Sequence, residues 1–300
     1  MNDSMTPSEP ESSLEPHQLY STEFTGPTLI HTSVFLVISG LVTILVSIIV
    51  LGVTVGISYL PGMKHASMLD LAKQPVLSVL AQALAYLVAL IIAAIIFSEW
   101  WQRSMADGIE WNWQQMHRRI YMFLFAGLLM GLAADLASTG MPVPKNLPVD
   151  DFFRNAGGVW VIAIFGTTLG PLFEEVTFRG FLYPSLARAW DWSAARMRLE
   201  PMQLENLSTP ANPERFSIAA MVVSTILTSI CFAAIHAPQI GYSIPVLCLL
   251  FSVSVVLTIV RITSKSVAAS TLVHAGYNLW NFVLMFFVTS GFRHLDKLRS

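Results

Sequence analysis

Long stretches without a charged residue alternate with short polar breaks along most of the chain. The first lies between Glu23 and Lys64, the second between Lys73 and Glu99, and the third between Arg119 and Asp135. About 20 predominantly apolar residues carry a helix across the hydrocarbon core of a bilayer. Each stretch therefore predicts one span, although the third reaches that length only if Asp135 is drawn in. Further along come 157–174, 216–260 and 266–292. The stretch 216–260 is too long for one span and must fold back. His236-Ala237-Pro238 and the Gly241 to Pro245 segment supply the turn, which predicts one helix over 216–236 and another over 242–260. The tally is about seven spans.

Composition agrees with that pattern. Of 300 residues 54% are hydrophobic and 12% charged, against about 25% charged in an average soluble domain. Mean hydropathy is +0.60, which argues against a soluble enzyme. A net charge of −2 offers nucleic acid no general attraction. Cys231 and Cys248 lie in apolar runs and read as packing rather than as a disulfide framework. Residues 1–28 carry no Lys or Arg and are rich in Ser, Pro, Glu and Thr, the composition of a disordered polar tail. Trp100, Trp101, Trp111 and Trp113 cluster with Arg103, Arg118 and Arg119, which predicts an interfacial helix over 99–119. Trp190 and Trp192 close another apolar stretch in the same way. The expected organisation is a polar tail (1–28), N-terminal membrane helices (29–156), a membrane core (157–292) and a short basic tail (293–300). Basic residues are shared too evenly between the two sides to orient the chain.

Ionisable groups within a span cost about 2.5–3.5 kcal/mol each on insertion scales and mark functional sites by default. Three places qualify. Glu174, Glu175 and Arg179 fall within six residues of apolar sequence. Glu175 and Arg179 are four apart with the acid first, the favourable order for an ion pair along a helix. Glu174 points about 100° away from Glu175 and must find its own partner. His236 ends the fifth apolar helix, where taken alone it reads as a cap favoured by the helix dipole. His274 and Asn278 share one helix face, with Gly276 between them. Alone, that pair could equally be hydrogen-bonding glue between helices. Together the three places supply an unpaired carboxylate, two imidazoles and a carboxamide. A carboxylate or imidazole can take a proton from water, and fixed donors can hold the oxyanion of a tetrahedral intermediate.

In these residues the chain resembles the CAAX-processing and bacteriocin-processing (CPBP) intramembrane proteases. The family's EExxxR, FxxxH and HxxxN motifs read here as Glu174 to Arg179, Phe232 to His236, and His274 to Asn278. The resemblance covers roughly 157–290. It implies a glutamate-dependent membrane endopeptidase, exemplified by the protease that removes the last three residues after an isoprenylated cysteine. By that analogy Glu174 and His236 activate the attacking water, His274 and Asn278 form the oxyanion hole, and Glu175 with Arg179 holds the site in shape. Family members with the prenyl-protease architecture have eight spans. The expectation is thus an all-α polytopic transmembrane bundle of seven to eight spans with an intramembrane active site and no cofactor.

A straight helix from Gly158 would carry Glu174 about 24 Å from the face where it began, while His236 ends a helix returning to that face. Pro is favoured in a first helical turn. A start or kink at Pro171 is therefore expected. The nearest rival is a zinc-dependent hydrolase with Glu174, His236 and His274 as ligands, although no HExxH occurs. A serine mechanism is poorer, since the chain has no GxSxG and Ser264-Lys265 reads as an interface anchor. A non-catalytic scaffold or transporter is the third reading, although no internal repeat supports transport. The expected partners are membrane lipids and a peptide or protein substrate, for which a lipid-modified C-terminus is one suitable form.

Overall fold

The computed structural model describes residues 26–63, 65, 67–141, 156–198 and 216–295. Most of the expected polar tail, the end of the basic tail and much of 188–215 lie outside the described residues. The described chain is helical without strands. Its elements are α1 (Leu29–Ser58), α2 (Met68–Ala72), α3 (Pro75–Trp101), α4 (Met105–Gly108), α5 (Trp113–Met116), α6 (Ile120–Ser138), α7 (Ala156–Thr167), α8 (Leu169–Glu175), a π-helix (Val176–Leu182), α9 (Tyr183–Arg198), α10 (Ile218–His236), α11 (Ile244–Ser264) and α12 (Val267–Val288). Seven helical segments are long and apolar enough to cross a membrane, the fourth being the compound run Gly157–Met197. The protein is an integral, multi-pass all-α bundle.

The helix boundaries follow ordinary capping chemistry. Ser217 accepts from the Ala220 amide at the start of α10, and Ser266 accepts from the Ala269 amide at the start of α12. Pro occupies the first turn of α3 and of α11, where its missing N–H costs nothing. Lys265 at φ 50° ends α11 and lets α12 begin at once.

Two contacts fix the bundle around its fourth segment. The first joins α6 to α12. A Cβ on Gly127 would collide with the Val273 carbonyl, and one on Gly131 would lie 2.5 Å from the Trp280 Cβ. Small residues four apart let two membrane helices approach this closely. Asp135, one turn further on, accepts from Trp280 Nε1 at 2.6 Å. That bond satisfies a carboxylate inside α6 and allows the third span its full length. The second contact is aromatic. Phe35 of α1 stacks on Phe181 of the π-helix at 4.5 Å between centroids, and Phe97 of α3 lies 4.9 Å from the same ring.

The segment 99–119 differs from expectation. Instead of one interfacial helix, it forms the end of α3, two single-turn helices and a 3-10 turn at His117–Arg119. Its backbone caps the last helix: the Glu110 carbonyl accepts from the Val267 amide at 3.0 Å, and the Trp111 carbonyl accepts from the Ala268 amide at 3.3 Å and from Ser266 Oγ at 2.8 Å. Glu110 also pairs with Arg261 at 2.7 Å. These bonds serve the free amides at the start of α12, an outlet that a continuous helix could not offer. Trp101 is buried while Trp100 and Trp113 are exposed, so the tryptophans divide between core and boundary.

Candidate active site

The fourth segment breaks before it reaches the acidic pair. At Thr168 the backbone turns to φ −125°, ψ −86°, and α8 starts at Leu169 with Pro171 in its first turn. The break thus falls three residues before the expected proline. Thr167 and Thr168 donate their hydroxyls to Ala163 and Ile164 carbonyls of α7, at 2.7 and 2.5 Å, and so cap the helix that ends there. A Cβ on Gly170 would stand 3.1 Å from the Phe165 carbonyl, so a glycine lets the new axis start this close to the old one. Directly after Glu175 the chain widens into a π-helix, Val176–Leu182. Such insertions are rare and gather at functional sites.

Glu175 and Arg179 form the buried centre. Both side chains are fully buried, and Arg179 Nη1 donates to Glu175 Oε1 at 2.8 Å. The rest of the guanidinium is met by α11: Nη2 donates to the Ser254 carbonyl at 2.8 Å and to Ser254 Oγ at 2.7 Å, and Nε reaches Thr258 Oγ1 at 3.3 Å. The Phe232 ring centroid lies 5.0 Å from the guanidinium carbon. A charge this deep persists only when paired and hydrogen-bonded. His274 Nδ1 lies 2.9 Å from the same Glu175 oxygen. A carboxylate accepts, so Nδ1 carries the proton and Nε2 is turned the other way.

That other way is Glu174. Its Oε2 lies 3.8 Å from His274 Nε2 and 3.9 Å from His236 Nε2. His236 has its own orienting bond, Nδ1 donating to the Phe232 carbonyl at 2.8 Å. Both imidazoles therefore have their Nδ1 protons occupied and direct Nε2 at one carboxylate oxygen. Glu174 and His236 keep about a fifth of their side-chain surface exposed, whereas His274 keeps 4%. The site is thus open at Glu174 and closed behind His274. The structure gathers Glu174, Glu175, Arg179, His236 and His274 into one cluster.

Asn278 stands slightly apart. Its Nδ2 donates to the Gly166 carbonyl at 2.6 Å, tying α12 to the last turn of α7. Four residues that the sequence reading passed over also belong here. Ser254 and Thr258 share a face of α11 and clasp the guanidinium. Tyr86 of α3 stacks on Phe173 at 3.8 Å, and Gln82 Nε2 donates to its hydroxyl at 2.7 Å. Hydroxyls and an amide at four-residue spacing in otherwise apolar helices were the available signal.

Glu174, His236 and His274 are also the atoms that would hold a metal. Their spacings of 3.8 and 3.9 Å exceed the edge of about 3.3 Å that tetrahedral zinc with 2.0–2.1 Å bonds requires. Among the described residues no group of three His, Cys, Asp or Glu side chains has a metal-holding arrangement.

Comparison with known proteins gives no match among curated proteins or solved structures. Residues 156–280 match the family described as Type II CAAX prenyl endopeptidase Rce1-like. That interval runs from the start of α7 into α12 and contains every residue of the cluster. Three motifs in order, an all-helical membrane bundle and the family match over the segment that builds the site point the same way: over residues 156–280 the chain is similar to the Rce1-like Type II CAAX prenyl endopeptidases.

Proposed function

We propose that the protein hydrolyses a peptide bond inside the bilayer with a water activated by Glu174 and His236. The observation that carries this reading is the position of Glu174 Oε2, 3.8 and 3.9 Å from two imidazole Nε2 atoms whose Nδ1 protons are already committed. These distances are too long for direct hydrogen bonds, and a water seated to one side of the gap can bridge the pair. Such a water donates one proton to Glu174 Oε2 and the other to His236 Nε2, and its oxygen attacks the substrate carbonyl carbon.

As the water oxygen bonds to that carbon, Glu174 or His236 takes its proton and the carbonyl electron pair moves onto oxygen. His274, held at Nδ1 by Glu175, stabilises that oxyanion through Nε2–H when it is an imidazolium. Arg179 holds the Glu175 carboxylate in place for the task through its Nη1 hydrogen bond. Asn278 commits one amide N–H to Gly166 and has a second to offer. The proton taken from water then passes to the leaving amine as the C–N bond breaks. A lipid-modified C-terminal peptide suits a site at this depth.

The test uses the purified full-length protein in nanodiscs, with a farnesylated peptide ending in a CAAX sequence beside the unmodified peptide. Glu174→Gln should lower cleavage at least about a thousandfold, the scale on which removing a general base or nucleophile activator is felt, while the thermal midpoint stays unchanged. Chelators should have no effect. Full activity in Glu174→Gln would overturn the reading. Loss of activity in 1,10-phenanthroline with recovery on added zinc would replace it by the metal-dependent one.

A further inference from the structure

Between Pro75 and Phe97, α3 carries only three polar side chains, Ser78, Gln82 and Tyr86. They are spaced four apart and so share one helix face. Ser78 is exposed, while Gln82 and Tyr86 are half-buried. Tyr86 stacks face to face on Phe173, the residue before Glu174. The face thus runs from the Pro75 end of the helix to the wall of the candidate site, about 16 Å inward at 1.5 Å per residue.

Polar groups at this depth are retained for a use. Gln82 Nε2 donates to Tyr86 Oη at 2.7 Å, which leaves Gln82 Oε1 free to accept and the Tyr86 O–H free to donate. Reversing the amide would exchange the roles and still leave one donor and one acceptor. That pair is the complement of a peptide N–H and C=O. The spacing fits as well, since successive steps along the face rise about 6 Å, close to the roughly 6.6 Å over which an extended chain repeats the same side. From Tyr86 to Ser78 the face is about 12 Å long, enough for three to four extended residues.

We propose that Gln82 and Tyr86, continued outward by Ser78, form the strip that holds the extended backbone of the peptide substrate beside Glu174. Tyr86 O–H donates to a peptide carbonyl and Gln82 Oε1 accepts the neighbouring N–H. The strip lies on α3, outside the segment 156–280 that the family match covers. The proposal rests on the hydrolytic reading of the site, and the test separates the two.

Full-length wild type, Tyr86→Phe, Gln82→Ala and Glu174→Gln are assayed in nanodiscs with the farnesylated CAAX peptide. Two further substrates carry an ester in place of the amide on either side of the scissile bond. Tyr86→Phe keeps the ring on Phe173 and should lower kcat/KM at least tenfold with the thermal midpoint unchanged. Gln82→Ala should raise KM at least fivefold with kcat within twofold. One ester substrate should lose at least fivefold in wild type and nothing further in Gln82→Ala, a coupling that a purely structural glutamine would not give. If Glu174→Gln is inactive while Tyr86→Phe and Gln82→Ala cleave like wild type, or if neither ester couples to Gln82, the strip is refuted and the hydrolytic reading stands. If Glu174→Gln cleaves normally, both fall.

Discussion

Arg179→Met removes the guanidinium while keeping an unbranched chain of similar length. In the native site that group makes one bond to Glu175, two to Ser254 and one to Thr258, with no exposed surface. Its loss leaves the buried Glu175 carboxylate without its guanidinium partner and takes the added donors from two hydroxyls and a carbonyl of α11. Breaking a buried pair from one side costs about 3–5 kcal/mol. At roughly 2–4 °C per kcal/mol for a chain of this order, the thermal midpoint in detergent micelles should fall by about 10 °C. Much of that cost is the stranded charge, so adding Glu175→Gln should restore part of it. The double variant should be more stable than the sum of the single effects by about 1–3 kcal/mol. Thermal denaturation followed by size-exclusion fluorescence reads all three variants. A fall of less than about 3 °C in Arg179→Met, or strict additivity in the double variant, would refute the view that Glu175 depends on this one cation.

Three further outcomes are expected. Gly276→Ala drives a methyl into the Leu124 carbonyl and to 3.1 Å from the Gly127 Cα, so it should destabilise by about 1–3 kcal/mol, read as a lowered thermal midpoint. Asp135→Asn keeps an acceptor for Trp280 Nε1 and should be mild, whereas Asp135→Leu orphans that donor at a cost of about 1–3 kcal/mol. A larger loss in Asn than in Leu would reverse the assignment. Glu110→Gln opens a pair whose acid is 55% exposed and should shift stability by less than about 1 kcal/mol, in contrast to Arg179→Met.

Seven spans and the pairing of Glu175 with Arg179 were legible in the sequence, because charge-free length and four-residue spacing are local properties. The fold-back near Pro238 was legible for the same reason. The sequence predicts the helix break at Pro171 and it falls at Thr168, one turn upstream, where the proline has no N–H for the Thr167 carbonyl, the threonine hydroxyls bond back to α7 and Gly170 admits the close approach. The π-helix left no mark that periodicity could detect, since its sequence is as apolar as an α-helical one. The tryptophan-rich segment 99–119 looked like an interfacial helix because aromatic and basic residues alternate there. Its backbone is instead drawn off by the free amides of α12, a long-range demand that local composition does not carry. The contact from Asn278 to Gly166 was hidden for a similar reason: spacing sets the face of a helix, whereas its neighbour is set by packing.

The widened turn at Val176–Leu182 also sets where along this segment a residue can be lost. An i→i+5 turn takes in about one residue more than an α turn, so deleting a single codon there closes the ladder to ordinary bonding and leaves α9 close to its original phase. The same deletion inside α8 or α9 would swing whatever follows by about 100°. Two contacts to the first helix register the difference: the Phe35 ring stacked on Phe181, and Thr32, which donates to the Phe181 carbonyl at 3.2 Å. The extra residue is thus the one place in the compound fourth segment where length can change without turning the acidic pair away from the helices around it.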